Sequence, residues 1–160
     1  MADISLRPAT PADAGQIAQV HRQSRADYYG EPPAEDDREA MWVHLVAQPD
    51  RTTYLSERAG SVVAFISAHR LPGPEAALEL TALYVLPDLY GRGIGGRLHD
   101  VFDRERGNDR AGVLEVWAGN RRAITFYERR GWVPTDRTRP GPQDIDFVTY
   151  RLEQPGHPLA

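Results

Sequence analysis

The 160-residue sequence predicts an α/β (α+β) fold class, a central mixed but mostly antiparallel sheet of six to seven strands flanked by about four helices. Three observations carry that expectation. Short apolar or alternating runs such as Ser61 to His69 and Val113 to Trp117 read as strands. Between them lie segments whose apolar residues recur at helical spacing. Clusters of Gly, Pro, Asn and Asp separate the two kinds of segment. The resulting order is β-α-α-β-β-β-α-β-α-β-β, which places helices on both faces of a sheet.

Ile4 to Arg7 alternates apolar and polar residues and forms the first strand. Thr10-Pro11-Ala12-Asp13 follows with a capping hydroxyl, a proline at the first helical position and an acid three residues after the cap. Ala14, Ile17, Ala18 and His21 continue a helix to about Tyr28, and Gly30-Glu31-Pro32-Pro33 breaks it. A second helix from about Ala34 to Ala47 has Met41, Trp42, Leu45 and Val46 on its apolar side. Thr52 to Glu57 and Ser61 to His69 flank a hairpin signal at Arg58-Ala59-Gly60-Ser61. After the turn Leu71-Pro72-Gly73-Pro74, Glu79 to Leu86 is a third long strand. Ile94, Leu98, Val101, Phe102 and Glu105 set the third helix, ending near Gly107-Asn108. Val113 to Trp117 is a strand, Asn120 caps a helix to about Arg130, and Gly131 stops it. Two last strands, Trp132 to Asp136 and Asp144 to Leu152, bracket Arg139-Pro140-Gly141-Pro142.

Composition narrows the functional classes. Hydrophobic residues make up 41% and charged residues 26%, values of a globular chain. One domain over residues 1–160 is expected, with its core at 3–152 and a frayed tail at 153–160. Nineteen basic and 23 acidic residues give a net charge of −4, without the basic excess of a nucleic-acid binder. Cysteine is absent, which excludes disulfides and thiolate nucleophiles, and no metal centre is expected. No apolar run approaches the roughly 20 residues that cross a bilayer. The N-terminus lacks the basic-then-apolar layout of a signal peptide, so a cytoplasmic location without membrane partners is expected. All 19 basic residues are arginine, so the protein has no lysine side chain to be modified.

The most informative segment is LYVLPDLYGRGIGGRL, Leu83 to Leu98. An apolar strand enters a loop with Gly91, Gly93, Gly95 and Gly96, and the loop opens into a helix. Glycine lets the backbone approach a ligand, and the helix start adds donors and a positive dipole end. This is a diphosphate cradle. A P-loop would need a lysine and is excluded. Gly91, Gly93 and Gly96 fit the letters G-x-G-x-x-G of a dinucleotide fold, but the unit sits mid-chain after an antiparallel meander rather than opening a βαβ unit.

Taken together with the stretch from Leu114 to Trp132, this segment resembles motif A of the GNAT acetyltransferase superfamily, whose loop is usually Gln/Arg-x-x-Gly-x-Gly/Ala. Here the window reads Tyr90-Gly91-Arg92-Gly93-Ile94-Gly95, with Tyr90 as the departure. Leu114-Glu115-Val116 through Asn120, Ala123, Tyr127-Glu128 and Gly131-Trp132 is similar to motif B of the same family. The element order matches from residue 3 to 152. The resemblance implies the GNAT fold and acetyl-CoA as cofactor. It implies a pyrophosphate on the N–H groups of Arg92, Gly93, Ile94, Gly95 and Gly96, with Arg92 and Arg97 either adding charge there or standing as solvated surface. It implies a pantetheine arm along the main chain at Leu83, Tyr84 and Val85, and contacts from Tyr90, Gly91, Asn120 and Tyr127.

Acetyl transfer to an amine requires a base, stabilisation of the acyl oxygen and protonation of the departing thiolate. By the same resemblance, an N–H near Val85 serves the oxygen and the Tyr127 hydroxyl serves the sulfur. Two glutamates are candidate bases. Glu79 lies six residues before Val85, as in histone-type members, and Glu115 lies in the LEV triplet, as in ribosomal-protein N-terminal acetyltransferases. His69 or a water relay completes the alternatives. Tyr28, Tyr29, Glu31, Glu35, Asp36 and Asp37 form an acid-and-aromatic patch that suits a cationic amine, or equally a solvated helix start. Trp42 and Trp117 either line the acceptor cleft or pack in the core. The expected activity is transfer of acetyl to a primary amine of a small molecule by direct attack in a ternary complex. The alternatives are a peptide or protein N-terminal α-amine as acceptor, and a non-catalytic acyl-CoA-binding domain. A homodimer stays open.

Overall fold

The computed structural model describes residues 3–32, 35–73 and 76–153. Its strands are β1 (Ile4–Pro8), β2 (Arg51–Arg58), β3 (Ser61–Arg70), β4 (Leu78–Val85), β5 (Gly112–Trp117), β6 (Val133–Arg139) and β7 (Phe147–Leu152). Its helices are α1 (Ala14–Tyr29), α2 (Arg38–Val46), α3 (Ile94–Arg106) and α4 (Arg121–Arg129), with 3-10 turns at Pro11–Asp13, Pro87–Leu89 and Pro142–Asp144. The strands form one mixed sheet in the order β1-β2-β3-β4-β5-β7-β6. Two compact units divide the chain, residues 1–69 with 81–105 and residues 70–80 with 106–160, and β4 runs through both. Among the described residues no helix is long and apolar enough to cross a membrane.

In the first unit β1, β2 and β3 are antiparallel neighbours. The β2–β3 hairpin closes through Ala59 (φ 52°) and Gly60 (φ 80°), two positive-φ residues that match the twist of the flanking strands. Leu55 and Phe65 are cross-strand partners on one face of the sheet. There they pack with Ile17, Val20 and Ala18 of α1 and Trp42 of α2. Removing each such large side chain from water contributes about 1.5–3 kcal/mol. Thr52 points to the other face, where its hydroxyl donates to Glu105 of α3 (3.3 Å). Helices therefore cover both faces of this unit's sheet, as the amphipathic spacing requires.

The start of α1 is tied down by charge. Arg7 forks onto both carboxylate oxygens of Asp13 (2.9 and 2.8 Å) and also donates to Glu57. Asp13 itself accepts the Thr10 N–H (2.8 Å). The Arg7 hydrogen bond, then the Thr10 N–H, hold the Asp13 pKa below its ordinary value of 3.8 against the opposing cost of burial. A depressed carboxylate pKa stabilises the folded state above the unfolded pKa, and that contribution is lost as pH falls through the lower folded value. Arg7→Met is expected to cost about 1–2 kcal/mol at neutral pH, less than a fully buried pair because Arg7 is partly solvated. Urea unfolding should show the wild-type advantage shrinking below about pH 4. A gap that stays constant to pH 2 would refute the assignment.

In the second unit β4 pairs in parallel with β5 at Leu78–Gly112 and Glu79–Val113. Strand β7 lies antiparallel between β5 and β6. Leu114, Val116, Tyr127, Trp132 and Tyr150 are buried. Trp117 is buried too, and its indole N–H donates to the carbonyls of Pro142 (3.1 Å) and Ile145 (3.0 Å), pinning the turn before β7. A β-carbon at Gly119 would stand 2.4 Å from the Trp117 ring, so only glycine fits there.

Several expected boundaries move. The second helix begins at Arg38; the expected start at Ala34 lies outside the described residues. Strand β6 continues past Asp136 to Arg139, and Pro142–Asp144 is a 3-10 turn, so β7 starts at Phe147 rather than Asp144. The tail from Gln154 also lies outside the described residues.

Candidate active site

Strand β4 ends in an edge with two differently used sides. Ala82, Tyr84 and Leu86 pack into the apolar cluster under α1, so their neighbours Leu83 and Val85 point to the opposite face. The Leu86 N–H donates to the Val63 carbonyl of β3 (2.9 Å). Backbone groups alternate edges along a strand, so the N–H groups of Leu83 and Val85 face away from β3. The Val85 carbonyl accepts the Ser24 hydroxyl of α1 (2.9 Å). That bond holds α1 against the end of the strand at the residue whose N–H was expected to serve the acyl oxygen.

Beyond Val85 the chain turns through Pro87–Leu89, with Leu89 and Tyr90 N–H groups donating to Leu86 and Pro87. Tyr90 is extended (φ −60°, ψ 148°). Gly91 (φ 75°) and Gly93 (φ 81°) are left-handed, which costs any other residue about 1–2 kcal/mol. No protein atom lies within 4 Å of where a β-carbon would stand at either glycine, so the backbone angle is what demands glycine. The Arg97 N–H donates to the Gly93 carbonyl (3.1 Å), the first bond of α3. The N–H groups of Ile94, Gly95 and Gly96 therefore precede any intrahelical acceptor, and buried Ile94 anchors them from below. Arg92 is exposed between the two left-handed glycines. Arg97 instead reaches the Ile4 carbonyl of β1 (3.0 Å).

The second unit holds the remaining expected residues. Asn120 caps α4, its Oδ1 accepting the Ala123 N–H (3.2 Å). Tyr127 is buried on α4, edge-on to Trp132 with ring centroids 5.9 Å apart. Glu79 is half-buried on β4 beside Val113. Glu115 is exposed on β5 and bound to Arg139 Nε of β6 (2.6 Å), whose guanidinium lies over Phe147 (4.0 Å). An acid in an apolar strand is tolerated when paired, and Glu115 is paired. In the first unit His69 is bonded to Asp50 (2.9 Å).

Residues 17–132 match the family described as Acetyltransferase (GNAT) family. The chain belongs to that family. Comparison with curated proteins gives no match. Among solved structures, an acetyltransferase from Thermus thermophilus is 22% identical, with 94% of this chain and 98% of that one covered and a TM-score of 0.71. PaiA N-acetyltransferase from Thermoplasma acidophilum, solved in complex with coenzyme A, is 16% identical with 92% and 98% covered and a TM-score of 0.68. The ribosomal-protein-S18-alanine N-acetyltransferase from Escherichia coli is 20% identical with 94% and 93% covered and a TM-score of 0.71. These likenesses establish the GNAT fold. The protein is a GNAT N-acetyltransferase that uses acetyl-CoA, and its loop fits the diphosphate of that donor: left-handed glycines followed by helix-start N–H groups with no internal acceptor.

Part of the expected cationic-amine patch on this acetyltransferase is already paired, while Glu31, Glu35 and Asp37 are exposed. Asp36 is held by Arg22 (3.3 Å) and Arg38 (2.9 Å), and Arg25 lies over the Tyr29 ring (5.1 Å). Asp36 and the Tyr29 face are thus already occupied by guanidiniums. Tyr28 shares a hydroxyl hydrogen bond with Tyr84, and burial first, then Tyr84, raises its pKa. Trp42 is core rather than cleft, and its indole N–H donates to His21 Nδ1 (3.2 Å). His21 and Ser24 stand at the site without having been expected there, although the sequence carries a signal for them. Ile17, His21, Ser24 and Tyr28 follow helical spacing, and two polar residues on that buried stripe mark a special neighbour.

Proposed function

We propose that this acetyltransferase acetylates the primary amine of a small molecule by direct attack within a ternary complex. The observation that carries the reading is the end of β4 running into the Gly91–Gly96 cradle, with Ser24 fixing the Val85 carbonyl. Acetyl-CoA supplies the activated acyl carbon and a thiol leaving group. The Val85 N–H stabilises the charge that grows on the acyl oxygen. Glu79 accepts the proton of the attacking amine, directly or through water, as the new C–N bond forms. The Tyr127 hydroxyl donates its proton to sulfur as the C–S bond breaks. Glu115 is the weaker candidate for the base because its carboxylate is engaged by Arg139. The peptide α-amine alternative rests on motif B alone and is the second arm of the test.

Thiol release from acetyl-CoA with amino acids, polyamines, aminoglycosides and short peptides checks the reaction and its acceptor class. In the pH–rate profile of kcat/KM, Glu79→Gln is expected to lose the acidic limb while Glu115→Gln keeps it. An unchanged profile in Glu79→Gln would remove it as the base.

A further inference from the structure

Helix α1 is fastened to the end of β4 by the Ser24 hydroxyl on the Val85 carbonyl, and Arg25 follows Ser24 directly. Ser24 and Arg25 are consecutive and lie one turn after His21 on that helix, and Tyr28 follows one turn later. Ser24 touches the Val85 carbonyl (2.9 Å), His21 stacks on Tyr84 (centroids 4.6 Å apart, 23° between planes), and Tyr28 lies parallel to Tyr84 at 6.5 Å (9°). This stretch of α1 therefore stands against the strand edge where the acyl chemistry is placed. His21 Nδ1 accepts the Trp42 N–H, so a neutral His21 carries its hydrogen on Nε2 and is a donor there.

Three guanidiniums bear on this group. Arg22, Arg25 and Arg38 all disfavour protonation of His21, and Asp36 opposes them. Asp36 is shared by Arg22 and Arg38, which leaves Arg25 with a tyrosine face and no carboxylate partner among the described residues. Arg25 also acts electrostatically on both Tyr28 and Tyr84, so its charge is felt at the β4 end. The remaining acids at this end, Asp27, Glu31, Glu35 and Asp37, are exposed and screened by solvent. A half-buried guanidinium with a free fork favours a carboxylate, which it can grip with two N–H groups.

We propose that the acceptor is an amine bearing a carboxylate beside it, the arrangement of an α-amino acid, and that Arg25 holds that carboxylate. The inference rests on the acetyl-transfer reading and specifies its substrate class. In that arrangement the amine faces the Val85 edge and the carboxylate faces Arg25, the residue after Ser24 on α1.

The test uses the wild-type enzyme and matched acceptors. After an amino-acid panel identifies the best acceptor, its kcat/KM is compared with those of its carboxamide, its decarboxylated amine, and a dipeptide beginning with the same residue. The amino acid is expected to exceed each by at least about tenfold, which is the size of a lost charge-assisted pair. Arg25→Gln should raise KM for the amino acid by a similar factor, leave KM for acetyl-CoA in place, and abolish the preference over the carboxamide; Arg25→Lys should restore part of it. Equal or better turnover of the decarboxylated amine, the carboxamide or the dipeptide overturns the inference while acetyl transfer stands. No thiol release with any amine overturns both.

Discussion

Replacing Tyr127 by phenylalanine is expected to lower kcat by roughly a hundredfold or more, the scale of a lost general acid, with little change in KM for acetyl-CoA. The substitution keeps the aromatic ring and its packing in the core. Tyr127 meets Trp132 edge-on at 5.9 Å and Phe126 at 5.3 Å, and phenylalanine keeps both contacts. Only the hydroxyl disappears, and with it the proton for the departing sulfur. An interaction made only as the C–S bond breaks affects kcat and kcat/KM alike. Steady-state kinetics with the preferred amine decides the matter. A kcat within about twofold of wild type would mean that the thiolate leaves unprotonated or takes its proton from elsewhere.

The second large effect is on stability in acid. Burial lowers the His21 pKa to about 3, and Arg38, Arg25 and Arg22 push in the same direction. A histidine whose folded pKa is depressed behaves opposite to one that gains a carboxylate partner. Between the ordinary value of 6.5 and about 3, the unfolded chain takes up a proton that the folded chain refuses. Stability therefore falls with pH over that window, by up to about 1.4 kcal/mol per unit. From neutrality to about pH 4.5 the loss amounts to roughly 2–3 kcal/mol. His21→Gln keeps an acceptor for the Trp42 indole and does not titrate, so its urea midpoint should fall far less over the same range. Parallel curves for the two proteins would show that His21 protonates freely in the fold. The Asp13 contribution lies below about pH 4, so the two acid effects separate along the pH axis.

Local chemistry was legible in the sequence where one or two adjacent residues decide the backbone. Ala59-Gly60 closes its hairpin, Asn120 caps its helix, and Gly91 and Gly93 take the left-handed angles that a cradle needs. The family resemblance added what adjacency cannot show, the identity of the diphosphate. What could not be read depends on residues far apart in the chain. Asp36 looked like part of an acidic field until Arg22, fourteen residues earlier, was found on it. Glu115 looked poised until Arg139 closed on it across the sheet. Ser24 and Val85 are 61 positions apart, and nothing local announces their bond. Strand β6 was read short because it is an edge strand whose residues are nearly all exposed, so it shows no apolar alternation to follow. The turn at Pro142–Asp144 was hidden because Gln143 and Asp144 are left-handed without being glycine.

The bond from Ser24 to the Val85 carbonyl has an evolutionary reading. It indexes α1 to the strand edge through one hydroxyl and one main-chain oxygen, neither of which depends on the side chains at positions 21, 25 and 28. In the proposed reading a change at Arg25 shifts acceptor preference while the Ser24–Val85 bond keeps α1 on the end of β4. A family with one donor and many acceptors needs that separation, because specificity is carried by the site rather than by the fold.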